Sequence, residues 1–238
     1  MASRPGRVKG FAASGGSESS LLYSRVMRVV AGRFRGRKIT APEGTETRPI
    51  LDRAKVALFD WLGSRLAQPG ALPPIAVLYL FCGGGSLGIE ALSRGAAFVT
   101  FVDSGAAAIA ALRENLTALR IANDEAVVER SAVEHAVLRP PSTFQYSLVF
   151  LDPPYKLTAD LEPGSIMSRI WRRLDSEPTI ADDAWLVWRH ERGQVTPESS
   201  DRWQCVERRA WGHVAITAYR SKNAIAGEAD ATDAETLS

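Results

Sequence analysis

Cysteine is almost missing from this chain. Cys82 and Cys205 are the only two in 238 residues, far apart and outside any metal-ligand spacing. That excludes a disulfide framework and a thiolate zinc site, and it suits a reducing compartment. Histidine is nearly as scarce: His135, His190 and His213 each stand alone, so no metal is expected. No apolar run approaches the roughly 20 residues of a membrane span. The formal net charge is only +2, too small to imply a nucleic-acid partner by itself, so any basic footprint has to be local. A cytoplasmic monomer without membrane contact is expected. Apolar residues, by contrast, make up 45% of the chain, enough for one large α/β domain or two small ones.

The ends differ from the middle. Residues 1–26 are rich in Ser, Gly and Ala, have no apolar core long enough for a secretory signal, and are expected to form a disordered extension, with Met27 as an alternative start. The acidic tail 221–238 is expected to be disordered as well. Between them, "RVVAGRFRGRKIT" predicts a short basic hairpin with Gly32 and Gly36 at its turning points. "ILDRAKVALFDWLGSRL" places Ala54, Leu58, Trp61 and Leu62 on one helical face, with Asp52 available as N-cap. Residues 27–70 thus form a hairpin-and-helix unit ahead of a main domain over 71–220.

That domain alternates strand and helix. The strands "IAVLYLF", "FVTFVD", "AVVERS", "YSLVFLD" and "AWLVWRHE" are separated by the helical segments "SLGIEALSRG", "AAAIAALRENLTAL", "AVEHAVLR" and "SIMSRIWRRLDS". Repeated β-then-α units imply parallel strands, helices on both faces and right-handed crossovers. "WQCVERRAWGHVAITAYR" then offers two strands with no helix between them, turning at "RAWG". The expected fold is α/β: a doubly wound, mostly parallel seven-stranded sheet ending in an antiparallel β-hairpin.

The chemistry concentrates at two strand ends. After the first strand, Gly83, Gly85 and Gly88 have G-x-G-x-x-G spacing where a helix begins. Such glycines permit a tight turn and let a ligand approach backbone N–H groups at a helix N-terminus. Asp103 follows the second strand, where folds of this kind place an acid on a ribose hydroxyl. A nucleoside-bearing ligand is therefore expected, either a dinucleotide or S-adenosylmethionine.

"LVFLDPPY" decides between them. Asp152 emerges from a buried strand, Pro153 and Pro154 fix two φ angles and remove two donors, and Tyr155 follows with a flat ring. Ligands in open α/β sheets bind beyond the carboxyl ends of the strands, so Asp152 and the glycine loop open onto one crevice. Hydride transfer has no evident use for such a turn. Amine methylation does: the Asp152 carboxylate and the Pro153 carbonyl can accept the two N–H groups of an exocyclic amine and stabilise the charge developing on nitrogen. Tyr155 can stack on the base.

Three segments in order, "MRVVAGRFRGRKI…TRPILDRAKVALFDWL", "LYLFCGGGSLGIEALSRGAAFVTFVD" and "LVFLDPPY", carry a family resemblance over most of 27–220. The chain resembles the bacterial 16S ribosomal RNA guanine-N2 methyltransferases of the RsmD type, Rossmann-like enzymes that use S-adenosylmethionine. The resemblance implies methylation of one guanine N2 in small-subunit rRNA or an assembling small subunit. By position, Phe81, Gly83, Gly85 and Gly88 would form the cofactor loop, Asp103 would hold the ribose and Ser131 would stand near the adenine amine. Asp152, Pro153 and Tyr155 would hold the base. Arg28, Arg33, Arg35, Arg37 and Lys38, with Arg48 and Arg53, would face RNA phosphates.

The chain also departs from the family pattern. Tyr79 and Ser131 stand where acids are usual, and Val56 replaces a glutamate. Tyr79 is expected near the cofactor, with weakened cofactor affinity as the consequence. The competing readings are a DNA or RNA adenine-N6 or cytosine-N4 methyltransferase, a catalytically silent RNA-binding assembly protein, and a nicotinamide-dependent oxidoreductase.

Overall fold

The structure is a computed structural model that describes residues 26–42 and 50–227. The expectations for the N-terminal extension before Val26, for Arg48 and for the tail beyond Gly227 lie outside the described residues.

The chain opens with the hairpin. β1 (Val26–Arg28) and β2 (Lys38–Thr40) pair antiparallel, Val26 opposite Thr40, around a single 3-10 turn at Gly32–Phe34. α1 (Asp52–Leu66) buries Ala54, Leu58, Trp61 and Leu62, as its spacing predicts, and also Lys55 and Phe59. Asp52 is not its N-cap. Leu51 holds that position without a side-chain bond, and Asp52 sits one residue inside, where its carboxylate pairs with Arg28 at 2.6 Å.

The main sheet follows. β3 (Ala76–Leu80) consists of five buried residues, as expected of a strand covered on both faces. It leads through the glycine loop into α2 (Ser86–Ser93). β4 (Phe98–Asp103), α3 (Ala106–Leu119) and β5 (Ala126–Arg130) complete one half. The other half is β6 (Tyr146–Leu151), the short α4 (Tyr155–Thr158), α5 (Ile166–Ser176) and β7 (Ile180–Glu191). β8 (Trp203–Trp211) and β9 (Val214–Ser221) close the chain. The seven strands lie in the order β5-β4-β3-β6-β7-β9-β8. β3 to β7 run parallel, and β9 is antiparallel to both its neighbours. This is the expected doubly wound sheet with its terminal hairpin. The chain turns from β5 back past β3 to β6, so the switch point lies between β3 and β6, where such sheets bind ligands.

Four boundaries correct the sequence reading. "AVEHAVLR" makes only one 3-10 turn, Val133–His135, because Pro140 and Pro141 close behind it and a residue before proline avoids helical dihedrals. β7 begins at Ile180, ahead of "AWLVWRHE", with a register shift against Tyr146; the polar Asp182 and Asp183 obscure it in the sequence. The final hairpin turns slightly later than "RAWG" suggests, at its last residue Gly212 and the following His213, where Gly212 supplies φ +64°. Residues 222–227 are helical, so the tail begins with structure.

Each face of the sheet has its own core. Val77, Tyr79, Val99, Phe101, Leu148 and Phe150 pack with α1, α2 and α3. Leu78, Leu80, Val149 and Leu151 pack with α5 and the Val133 turn. Val29 and Ile39 of the hairpin belong to the first of these clusters. Asn115 of α3 secures that junction: its Oδ1 accepts from Thr40 N–H at 2.8 Å, and its Nδ2 donates to the carbonyls of Thr40 and Gly84 at 2.9 Å.

Candidate functional site

β3 and β6 end side by side, and Asp152 N–H donates to Leu80 O at 3.2 Å. The glycine loop and the acid–proline–proline turn therefore leave adjacent strands at the switch point. Phe81 takes φ +57°, an unusual value for a bulky side chain, and marks the strained start of the loop.

The three glycines do different work. A Cβ on Gly88 would lie 2.3 Å from the Phe101 ring, and one on Gly85 would lie 2.4 Å from Leu112. These two glycines serve close packing of α2 on the sheet and on α3. Gly83, with φ +53°, has open space where its Cβ would be, so its backbone is the part a ligand can approach. Gly83 N–H donates to Asp103 Oδ2 at 2.8 Å, and Gly105 N–H donates to Asp103 Oδ1 at 2.8 Å. Each Asp103 oxygen keeps a lone pair for a hydroxyl donor. Ser131 lies alongside, its N–H donating to Asp103 O at 3.2 Å and its hydroxyl to Ala132 O. Ser86 Oγ, buried at the first residue of α2, has no hydrogen-bond partner among the described residues, the state of a polar group that a ligand completes. Open backbone, a ribose-competent acid and a waiting hydroxyl fit a nucleoside-bearing ligand such as S-adenosylmethionine.

Asp152 is 6% exposed. Arg189 of β7 donates Nε to its Oδ1 at 2.5 Å, and Tyr79 of β3 donates its hydroxyl to Oδ2 at 2.9 Å. Tyr79 therefore faces the acid rather than the cofactor edge expected for it, because it shares a strand face with Val77 and packs against Phe101 and Phe150. Burial pushes the Asp152 carboxyl above the usual carboxylate range, opposed by the Arg189 charge and by the bonds from Arg189 and Tyr79. Burial, then the Asp152 charge, holds the Tyr79 hydroxyl protonated far into alkali. Burial alone would lower Arg189, but the Asp152 charge raises it on balance. Pro153 is buried and Tyr155 half-buried at the start of α4. Gln194 Nε2 donates to Tyr155 O at 3.0 Å, and the Pro154 carbonyl is taken by Leu157 N–H. The cysteine beside this site, Cys82, is buried, which together with the nearby Asp103 charge raises its thiol well above the ordinary range.

The basic residues divide as well. Arg28, Arg35 and Arg53 line a cleft of about 250 Å³ between hairpin and α1, with Asp52 and Val56 in its wall. Arg33 pairs with Glu125 and lies over the Phe34 ring, and Arg37 donates to Ala118 O at 2.8 Å. These two help dock the hairpin on the sheet domain. Lys38 is exposed.

Sequence reasoning missed Arg189, Glu90, Lys55 and Asn115. "WRHE" carried no hint of an ion pair to a strand end 37 residues earlier. The one available signal was an arginine and a histidine inside an apolar strand, since buried charges need partners.

Among the described residues no helix is long and apolar enough to cross a membrane, and no group of three or more His, Cys, Asp or Glu residues could hold a metal. A family model described as conserved hypothetical protein 95 matches residues 27–220. YlbH of Bacillus subtilis (strain 168) is 30% identical over 198 residues, covering 82% of this chain and 100% of YlbH. Ribosomal RNA small subunit methyltransferase D of Escherichia coli (strain K12) is 28% identical over 205 residues, covering 86% of this chain and 94% of that protein. The solved structure of yhhF from Escherichia coli has a TM-score of 0.65 and 27% identity, covering 83% of this chain and 99% of that one.

Proposed function

The chain belongs to the conserved hypothetical protein 95 family, and from that premise we propose that it methylates the exocyclic N2 of a guanine in small-subunit ribosomal RNA. The observation that carries the reading is the junction of the glycine loop with Asp152 at adjacent strand ends. It sets the glycine loop beside a buried carboxylate, which supports reading them as nucleoside seat and amine acceptor, and a relative named for small-subunit rRNA methylation spans most of the chain.

The Gly83 backbone, Asp103 and the Ser86 hydroxyl would hold S-adenosylmethionine. When bound, it supplies a sulfonium methyl for the amine lone pair, with the carbon–sulfur electrons staying on sulfur. Asp152 and the Pro153 carbonyl accept the amine N–H groups and hold the nitrogen lone pair toward the methyl. The carboxylate also stabilises the positive charge that grows on nitrogen, an interaction strongest in the transition state. Tyr155 stacks on the base. The cleft of Arg28, Arg35 and Arg53 seats backbone phosphates, which position the RNA without reading its sequence. The same reading makes the protein a cytoplasmic monomer working on rRNA or on an assembling subunit.

One observation favours the catalytically silent alternative, that of an RNA-binding assembly protein: Asp152 already faces an arginine. Labelled S-adenosylmethionine, offered with naked small-subunit rRNA, partly assembled subunits and DNA, separates the readings. N2-methylguanosine from an RNA substrate is expected. Label in DNA or in another base would replace the guanine reading, and RNA binding without label would favour the silent one.

A further inference from the structure

Acceptor chemistry at Asp152 does not by itself explain why two side chains converge on it. β3 and β7 flank β6, and each contributes one donor: the Tyr79 hydroxyl at 2.9 Å to Oδ2 and Arg189 Nε at 2.5 Å to Oδ1. A carboxylate gripped on both oxygens from opposite sides cannot rotate about its terminal bond. It has about four lone-pair sites, so two bonds leave acceptor capacity in a plane that the two donors define. A plain stability role is a poor account of the arrangement. Buried ion pairs contribute little over well-packed apolar residues, and the Tyr79 ring already packs on Phe101 and Phe150 without help from its hydroxyl.

We propose that Tyr79 and Arg189 are positioning residues for methyl transfer: together they fix the Asp152 carboxylate in one orientation, ionised, with its remaining lone pairs presented to the target amine. This rests on the reading of Asp152 as the amine acceptor. Asp152 then acts as a hydrogen-bond acceptor and charge stabiliser, and the proton that the amine sheds passes to solvent.

The charged and titratable groups around Asp152 set the expected pH response. Burial, the largest influence, and the Asp103 charge at the end of β4 favour its protonated form, while Arg189 and the Tyr79 hydroxyl favour the ionised one. The Cys82 thiol stands nearby in the glycine loop, and Tyr155 approaches Arg189. Removing either donor therefore raises the carboxyl pKa, and the acid limb of the rate profile moves to higher pH.

The test uses the full chain under single-turnover conditions, with rRNA as substrate and saturating S-adenosylmethionine. Tyr79→Phe keeps the ring and the ion pair. It should slow transfer about tenfold and shift the acid limb upward, while cofactor affinity and the KM for RNA stay within about twofold. Arg189→Lys, which keeps a charge but loses the planar geometry, should slow transfer further. In an Asp152→Asn background, Tyr79→Phe should have no additional effect, because its action runs through that carboxylate. Tyr79→Phe remains informative if Arg189→Lys fails to fold. An unchanged rate and acid limb in Tyr79→Phe, or a change in KM alone, overturns the positioning role while leaving a slow Asp152→Asn as support for the acceptor. A fully active Asp152→Asn overturns both.

Discussion

Glu90 and Asp152 are both sealed carboxylates, at opposite ends of one architecture. Glu90 on α2 has no exposure. It accepts from Val30 N–H at 2.9 Å, Ala31 N–H at 3.0 Å and Arg94 Nε at 2.8 Å, with Lys55 Nζ at 3.8 Å. Asp152 accepts two bonds from the described residues. The first acid carries three hydrogen bonds and a further buried ion pair from the hairpin, α1 and the end of α2, so it ties the basic N-terminal element to the sheet. The second has spare acceptor capacity and stands at the edge where sheets of this kind bind ligands. Burial and charge are shared; Asp152 accepts fewer bonds than Glu90, and the proposed acceptor role would use the lone pairs it keeps.

The comparison breaks first at Glu90. Glu90→Gln leaves Lys55 and Arg94 buried against a neutral amide, and should cost about 3–5 kcal/mol of stability, read as a lower denaturant midpoint. Lys55 makes the point sharper. Burial pushes its pKa down, and the Glu90 charge opposes that shift, so loss of the carboxylate favours a neutral lysine. An unchanged midpoint would show that Glu90 is not the anchor.

A smaller effect is expected in the cleft that Glu90 holds in place. Arg35→Ala with Arg53→Ala should weaken rRNA binding and reduce its salt slope by about 0.7–0.9 for each phosphate no longer neutralised. Cofactor binding, measured by calorimetry, should not move. A salt slope equal to that of the native protein would put the RNA surface elsewhere.

The smallest effect concerns the strand that carries Arg189. His190 is buried, with Nε2 3.0 Å from Thr217 Oγ1 and Nδ1 2.9 Å from Glu191 O, and burial lowers its pKa. The unfolded chain takes up a proton near roughly pH 6.5 that the folded chain resists. Its contribution is therefore present above that pH and lost as pH falls through it toward the folded value. His190→Gln should flatten this part of the stability profile. An identical slope in both proteins would exclude His190 as its source.

What the sequence made legible follows from range. The doubly wound, mostly parallel sheet with its terminal hairpin rests on β-then-α alternation, a local pattern, and it appears as expected. Asp152 and Gly83 announce themselves because their chemistry is written in consecutive residues. The partners that define the two acids are not local: Tyr79 lies 73 residues from Asp152, and Val30 lies 60 residues from Glu90. No periodicity encodes those meetings, and "SLGIEALSRG" reads only as a helical segment. Tyr79 shows the limit most clearly. Its place at the end of β3 marked it as unusual, but which side of the strand it faced, and hence whether it met cofactor or acid, depended on tertiary packing.

The most direct test sets Asp152→Asn beside Glu90→Gln, with the denaturant midpoint and single-turnover methyl transfer to rRNA measured on both. Asparagine can still accept from Arg189 and donate to the Tyr79 hydroxyl, so Asp152→Asn should lose less stability than Glu90→Gln. Its transfer rate should fall by at least about 10²-fold at saturating cofactor. Glu90→Gln should show the reverse balance, a large loss of stability with transfer in the folded fraction much less affected. Wild-type transfer by Asp152→Asn would contradict the account.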